Sequence, residues 1–150
     1  AQHMTAPDRG GEGPARAIEA ALADAGTSRD AVRFINAHGT GTPLNDAAEW
    51  AALVRVFGTA AGGVPVTATK GSVGHLLGSS GSIEAVATVL CLAHGEVHPT
   101  PGGGPIDPAA PVRLVLDAPL PIGPGTAVST SLAFGGSNAA AVFGCPVEFR

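Results

Sequence analysis

Short apolar runs alternate along this chain with segments in which apolar residues recur at helical spacing. Helical segments are predicted at residues 14–25 and 46–57, and a third ends near His94 after a Gly/Ser-rich loop that begins at Lys70. A glycine follows each of these segments. The apolar runs predict five strands, at residues 32–36, 64–68, 112–116, 127–132 and 139–143. Strands separated by helices pair in parallel and carry helices on their faces. We therefore expect an α/β fold whose last two strands form a β-hairpin.

The chain carries little charge for a compact protein of its size. Only 13% of its 150 residues are charged, against about 25% in an ordinary soluble domain, whereas 45% are apolar. We infer that much of the surface packs against another part of the same protein, against a partner subunit, or against both. No internal repeat or long linker divides the sequence, so we expect one domain across residues 1–150.

Charge and hydropathy exclude several classes of protein. The net charge is −4 and there is no basic run, so nucleic-acid binding is not expected. The sequence has no run of about 18 consecutive apolar residues that would predict a membrane span. Its first residues lack the basic and apolar regions of a signal peptide. Cys91 and Cys145 do not have the spacing of metal ligands. We expect a cytoplasmic protein without a metal site.

The sequence AHGTGT at residues 37–42 follows the first predicted strand, where functional residues of α/β sheets usually lie. His38 supplies an imidazole, Thr40 and Thr42 offer hydroxyls to a polar ligand, and the two glycines let the backbone turn sharply. The same pattern also fits a structural turn around a buried histidine. Spacing alone leaves both interpretations open.

The second motif, KGSVGH at residues 70–75, follows the second predicted strand. Lys70 is the only lysine of the chain, beside His75, whereas the other side chains with a permanent positive charge are arginines. A single retained lysine indicates a need for a compact charge, although an arginine-rich composition gives the same result by chance. Glu84 lies in the helix that follows, so the two residues can form a buried ion pair in which each charge requires the other.

A third motif, FGGSN at residues 134–138, is a Gly-Gly turn between the last two predicted strands and is weak evidence by itself. In this order, however, the three motifs match the β-ketoacyl synthase pattern, in which AHGTGT is followed by K-x4-H and then by FGG[ST]N. The chain resembles the C-terminal half of this family along essentially its whole length. The resemblance includes HMTAP at residues 3–7 and GSSGSIE at residues 78–84.

The resemblance implies a thiolase-like fold, in which two similar halves stack as α-β-α-β-α layers. Residues 1–150 would form the C-terminal half, with a mixed five-stranded sheet and helices on its faces. Members of this family load an acyl chain onto a cysteine of the N-terminal half. They then condense it with malonyl-acyl carrier protein, with loss of CO₂, in fatty acid or polyketide biosynthesis. Substrates arrive on phosphopantetheine, so the resemblance implies no separate cofactor.

The resemblance also implies four catalytic residues. His38 and His75 would assist decarboxylation by donating hydrogen bonds to the enolate oxygen. Lys70 would orient the site through an ion pair with Glu84, and would not act as a nucleophile.

The residues that contact the substrate follow from the same resemblance. Thr40 and Thr42 would hydrogen-bond the phosphopantetheine arm. The backbone N–H of Phe134 would form half of an oxyanion hole, and its ring would gate the acyl pocket. His94 and His98 have no role in this scheme, and we expect both to be structural.

The nucleophilic cysteine is the main departure from the family pattern. Cys91 lies within a predicted helix among apolar residues and fits a buried filler, and Cys145 follows the last predicted strand. The chain would therefore be active only with an N-terminal half that supplies the cysteine, in the same or a separate chain. Acyl carrier protein would be a further partner, and a second ketosynthase or chain-length-factor subunit would be the dimer mate.

An alternative of a different class stays open. The chain could be a non-catalytic ketosynthase-like subunit, of the chain-length-factor type, that shapes the pocket of a partner. Such subunits commonly lose the catalytic histidines, whereas His38, His75 and Lys70 are all present in this sequence.

Overall fold

The computed structural model describes residues 3–144, which form a mixed five-stranded sheet with helices packed on it. The helices in this range are α1 (Glu12–Asp24), α2 (Pro43–Phe57), α3 (Lys70–Val73) and α4 (Ser80–His94). The strands β1 to β7 are, in chain order, Val32–Asn36, Pro65–Thr67, Glu96–Val97, Arg113–Leu114, Leu120–Pro121, Thr126–Ala133 and Ser137–Gly144. Short 3₁₀ segments lie at Arg29–Ala31, Gly58–Gly63, Leu77–Ser79 and Phe134–Gly136.

The main sheet has the strand order β4-β2-β1-β6-β7. The first four strands are parallel, and β7 runs antiparallel to β6 as the second arm of a hairpin. β3 and β5 form a separate two-stranded antiparallel sheet. Parallel strands end at one edge of a sheet, so the segments that follow β1, β2 and β6 start close together. The predicted mixed five-stranded sheet and terminal hairpin are confirmed.

Two apolar clusters hold helices against the sheet. In the first, Ile18 of α1 and Val56 of α2 pack with Ile35 of β1. In the second, Cys91 of α4 packs with Phe34 of β1. Successive residues of a strand point to opposite faces, so Phe34 and Ile35 serve the two clusters separately. A strand that is covered on both faces is mostly apolar, and β1 was recognisable in the sequence for that reason.

The outer face of α4 is apolar and exposed. Ile83, Val86, Val89 and Leu90 are each between 40% and 57% exposed. By length and composition alone, the 18 residues Leu77–His94 suffice to cross a membrane, with a mean hydropathy of 1.2. In this fold, however, α4 lies against β6 and β7 and contains the fully buried Glu84. The exposed face is an apolar surface of the kind that packs against further protein, as the low charge of the chain predicts.

Several predicted boundaries are wrong for local reasons. The helix predicted at residues 46–57 begins at Pro43, whose fixed φ suits a first helical turn, so Asp46 lies inside that turn and does not cap it. Lys70 begins the short helix α3 and does not lie in a loop. No element was predicted between His94 and residue 112, where β3 lies, and β5 was not predicted either. The strands β6 and β7 are longer than predicted because their hairpin pairs without interruption from Thr126 to Ala133.

Gly11, at the N-cap of α1, packs directly on α2. Its φ of 65° lies in the left-handed region, which favours glycine. A Cβ added at this position would lie 2.7 Å from the carbonyl oxygen of Ala48 and closer still to the backbone nitrogen of Ala52. Both the backbone conformation and the close approach of α2 therefore require glycine here.

Gly11→Ala should lower the thermal midpoint of unfolding more than Gly26→Ala. Both glycines are left-handed, with φ of 65° and 58°, so each substitution introduces a strain of about 1 kcal/mol. Among the described residues, nothing lies within 4 Å of a Cβ added at Gly26. The clash with α2 should add about 1–3 kcal/mol for Gly11→Ala alone. Equal thermal midpoints of the two variants would contradict this packing of α1 on α2.

Candidate active site

The three sequence motifs meet at the edge of the main sheet where its parallel strands end. His38 lies beyond the end of β1, Lys70 beyond that of β2, and Phe134 directly after β6. A cavity of about 1300 Å³ opens at this edge. Its lining includes the predicted site residues His38, Thr40, Thr42, His75 and Phe134. Folding thus brings together side chains from distant parts of the sequence.

Lys70 and Glu84 form a buried ion pair behind His38. Their side chains are only 4% and 2% exposed, and Nζ of Lys70 contacts Oε1 of Glu84. The same Nζ lies 3.1 Å from Nδ1 of His38. An ammonium group can only donate hydrogen bonds, so Nδ1 of His38 accepts this one and the ring proton is on Nε2. The ion pair therefore fixes the tautomer of His38.

His38 is held in its neutral form. Burial, followed by the positive charge of Lys70 and the presence of His75, lowers the pKa of His38 from 6.5 to about 4. The imidazole is consequently uncharged at physiological pH. Because the folded state favours the neutral ring, the stability that this gives is fully present above about pH 6.5 and is lost as the pH falls towards 4.

His75 is oriented by the segment that leads into α4. Its Nδ1 lies 3.1 Å from the backbone nitrogen of Leu77 and 3.0 Å from Oγ of Ser80. A backbone N–H is a donor, so Nδ1 of His75 accepts and Nε2 carries the proton. Leu77 presents this N–H from a left-handed backbone, with φ of 51°. The rings of His75 and His38 meet edge to face, with centroids 5.4 Å apart. Two imidazole N–H donors thus belong to one cavity.

Glu49 of α2 holds the loop that carries His38. Its carboxylate accepts hydrogen bonds from the backbone N–H groups of His38 and Gly39, at 2.8 and 2.7 Å, and from the side chains of Asn45 and Thr130, at 2.8 and 3.1 Å. Burial raises the pKa of Glu49, although these four bonds act in the opposite direction. No role for Glu49 was predicted from the sequence. The available signal was an acidic residue on the apolar face of a predicted helix.

The predicted substrate-binding residues lie in exposed parts of the cavity wall. Oγ1 of Thr40 and Oγ1 of Thr42 are 3.0 Å apart, so their hydroxyls form one polar patch. Phe134 is 76% exposed. The backbone N–H of Gly135 donates to the carbonyl oxygen of Met4 at 2.8 Å, which fastens the turn after β6 to the HMTAP motif. The motif at residues 3–7 is therefore a structural part of the site.

Cys91 is buried on the inner side of α4. It is 6% exposed and packs with Phe34 and Val97, and burial raises the pKa of its thiol. A buried, protonated thiol is a poor nucleophile, so the prediction of an apolar filler is confirmed. Cys145 lies outside the described residues. Within residues 3–144, no group of three or more His, Cys, Asp and Glu side chains is placed to hold a metal ion.

The profile of one protein family, described as "Beta-ketoacyl synthase, C-terminal domain", matches residues 1–103. This match covers more than half of the chain and includes the motifs of His38, Lys70 and His75. The chain belongs to the β-ketoacyl synthase C-terminal domain family. The third motif, at Phe134, lies beyond the matched range and is tied to the site by the fold.

Curated β-ketoacyl synthases are similar to the chain along almost its whole length. The 3-oxoacyl-[acyl-carrier-protein] synthase 2 of Staphylococcus aureus (strain COL) is 42% identical over 143 residues, which is 95% of this chain and 34% of the relative. The chain thus spans about a third of the length of the curated relatives that it matches.

Solved ketosynthases have the same fold. "The ishigamide ketosynthase/chain length factor" matches with a TM-score of 0.90 and 38% identity, over 96% of this chain and 35% of that one. A type II polyketide synthase acyl-carrier protein in complex with its ketosynthase, bound to the hexaketide, gives a TM-score of 0.92 and 33% identity, over 96% and 35%. The predicted thiolase-like α/β fold is confirmed.

His38 should titrate with a pKa of about 4 when its imidazole is followed by NMR spectroscopy. In the double variant Lys70→Met/Glu84→Gln the pKa should rise but stay below 6.5, because burial is the larger cause of the shift. Both charges are replaced together, since one charge left alone in the interior would destabilise the fold. A wild-type His38 that titrates near 6.5 would contradict its burial beside Lys70.

Proposed function

We propose that this chain is the C-terminal part of a β-ketoacyl-acyl carrier protein synthase, active together with an N-terminal half that supplies the nucleophilic cysteine. The reaction is the decarboxylative Claisen condensation of malonyl-acyl carrier protein with an acyl thioester. One observation carries the proposal. In both His38 and His75 the ring atom Nδ1 accepts a hydrogen bond from the protein, which leaves the Nε2–H of each ring as a donor at the same cavity.

This arrangement suits the decarboxylation step. The bond between the malonyl carboxylate and Cα breaks, CO₂ leaves, and the electron pair moves to Cα and the thioester carbonyl oxygen. The Nε2–H groups of His38 and His75 would donate to this oxygen as it becomes an enolate. Loss of one donor aimed at developing charge costs about 10²–10³ in rate. A neutral imidazole donates without giving up its proton, so the low pKa of His38 keeps it in the required form.

The condensation step then uses the cysteine of the N-terminal half. The carbanion attacks the acyl carbon, a C–C bond forms, the C–S bond breaks, and the cysteine leaves as a thiolate. The backbone N–H of Phe134 would form half of the oxyanion hole for this step, and its exposed ring would gate the acyl pocket. The hydroxyls of Thr40 and Thr42 would bind the phosphopantetheine arm. Lys70 would act through its contacts with Glu84 and His38.

The exposed surfaces of the chain support completion by a second half. The apolar outer face of α4, which includes Val86 and Leu90, would pack against the N-terminal half. His75 and the residues that follow it are also exposed and would be covered in the same way. The matched relatives extend well beyond the region that this chain spans, which leaves room for a cysteine-bearing half.

The proposed partners are acyl carrier protein and a second ketosynthase or chain-length-factor subunit as dimer mate. Two similar structures support them: one is described as a ketosynthase/chain length factor, and the other as an acyl-carrier protein in complex with its ketosynthase. Because the substrates arrive on phosphopantetheine, no separate cofactor is proposed. The proposed location is the cytoplasm.

A non-catalytic subunit of the chain-length-factor type is the alternative. Similarity to a ketosynthase/chain length factor structure is the observation in its favour. Against it, His38, His75 and the Lys70–Glu84 ion pair form a complete donor arrangement. A subunit that only shapes a partner's pocket does not need two oriented imidazole donors.

His38→Ala in the complete synthase should abolish malonyl decarboxylation and leave acylation of the cysteine largely intact. The enolate loses one of its donors, so release of CO₂ should slow by about 10²-fold or more. Release of CO₂ from malonyl-acyl carrier protein measures decarboxylation, and intact-protein mass spectrometry of the acyl-enzyme measures acylation.

His94→Ala is the matched control for this experiment. His94 is exposed at the end of α4, outside the cavity lining, so both steps should proceed at the wild-type rate. Decarboxylation at the wild-type rate in His38→Ala would refute the role of His38 and, with it, the proposed function.

A further inference from the structure

A chain of buried polar side chains links the three elements that carry the ion pair and His38. Asn36 is the last residue of β1, and Thr69 directly precedes Lys70. Nδ2 of Asn36 donates to Oγ1 of Thr69 at 2.9 Å, and that hydroxyl lies 3.1 Å from Oδ1 of Asn36. On its other side, Oγ1 of Thr69 lies 3.2 Å from Nε2 of His98. Thr69 is thus held between Asn36 and His98.

The amide of Asn36 also reaches α4. Its Nδ2 lies 3.1 Å from the backbone carbonyl oxygen of Glu84 and 3.1 Å from Oγ1 of Thr88. The hydroxyl of Thr88 in turn donates to the same carbonyl at 2.7 Å. Asn36 and Thr88 have no exposed surface, so each polar contact counts because water cannot replace it. One side chain therefore connects β1, which leads to His38, with the start of α3 at Lys70 and with α4, which carries Glu84.

The segment that follows β3 covers the outer side of the Lys70 turn. His98 is part-buried there, with Nδ1 3.2 Å from Oγ1 of Thr67 and 2.9 Å from the carbonyl oxygen of Pro99. Oγ1 of Thr100 accepts from the backbone N–H of Ala68 at 2.9 Å. His98 was expected to be structural, and these contacts place its structural role directly behind the site.

The helix α3 cannot hold Lys70 by itself. It has only four residues, Lys70–Val73, and a helix of one turn is not stable in isolation. Its position is set by what its first residues contact. Thr69 is the N-cap residue of α3, and its backbone N–H, which donates to Oδ1 of Asn36 at 3.3 Å, and its hydroxyl together fix where the backbone of Lys70 begins.

We propose that Thr69, held between Asn36 and His98, is a positioning residue that sets the ammonium group of Lys70 against Nδ1 of His38. Thr69 is not among the residues that line the cavity and acts through Lys70. Loss of its hydroxyl would displace the start of α3, so that Lys70 would no longer hold the proton of His38 on Nε2. The kinetic part of this inference rests on the proposed function, whereas the tautomer does not.

Thr69→Val in the complete synthase tests the inference, because valine has the shape of threonine without the hydroxyl. We expect ¹⁵N NMR of the histidine-labelled protein above pH 7 to show a mixture of His38 tautomers, in place of the single Nε2–H form. We also expect kcat for decarboxylation to fall by about tenfold or more, with little change in KM, since a misplacement of about 1 Å can cost about 10²-fold in rate. Thr69→Ser keeps the hydroxyl and should retain both the single His38 tautomer and the wild-type kcat.

Thr126→Val is the matched control. Oγ1 of Thr126 is also buried, but it has no hydrogen-bond partner within residues 3–144, so this substitution removes the same atom without breaking a described contact. It should leave the tautomer and kcat unchanged. If Thr69→Val does not fold, His98→Leu removes the outer contact and should shift the tautomer in the same direction.

A single Nε2–H tautomer of His38 in Thr69→Val, or in His98→Leu where that variant replaces it, would overturn the inference. So would a Thr69→Ser variant as impaired as Thr69→Val, because the hydroxyl would then not be the cause. If His38→Ala keeps wild-type decarboxylation, the proposed function fails, and the tautomer of His38 still decides whether Thr69 positions Lys70.

Discussion

The buried ion pair of Lys70 and Glu84 is the interaction on which the rest of the site depends. Removing one partner of such a pair typically costs about 3–5 kcal/mol, because an uncompensated charge remains in the interior. The pair joins the start of α3 to α4, and Nζ of Lys70 also donates a hydrogen bond to Nδ1 of His38. Glu49 completes the arrangement on the other side of His38, where it accepts hydrogen bonds from the backbone of the loop. The imidazole thus has a fixed position, a fixed tautomer and no charge.

The location of the site could be predicted from the sequence. His38, Lys70 and Phe134 each come shortly after an apolar run, and parallel strands end at one edge of a sheet, so these residues were bound to meet. The support of the site could not be predicted in the same way. His98 reaches Thr69 across 29 positions, from a Pro/Gly-rich stretch that has no periodicity to interpret. Such contacts depend on how separate elements pack, which local patterns do not encode.

The residues on one side of the site are buried, and those on the other side are exposed. On one side of the cavity, Glu49, Lys70 and Glu84 are buried and support His38. The other side exposes His75, the ring of Phe134 and the apolar face of α4. In the proposed synthase a thiolate would lie opposite the imidazole donors, and Cys91 is buried on the inner side of α4, where it cannot supply one. Completion by an N-terminal half would explain both the low charge of the chain and its open cavity.

Mass spectrometry of the native protein, followed by denaturation and peptide mapping after iodoacetamide treatment, shows whether a cysteine completes the site. We expect a reactive cysteine outside residues 1–150, either in the same polypeptide or in a chain that associates with this one. We also expect an acyl donor to protect that cysteine from alkylation. A native protein without such a cysteine, in itself or in its partner, would contradict the proposed function, because no acyl-enzyme could then form.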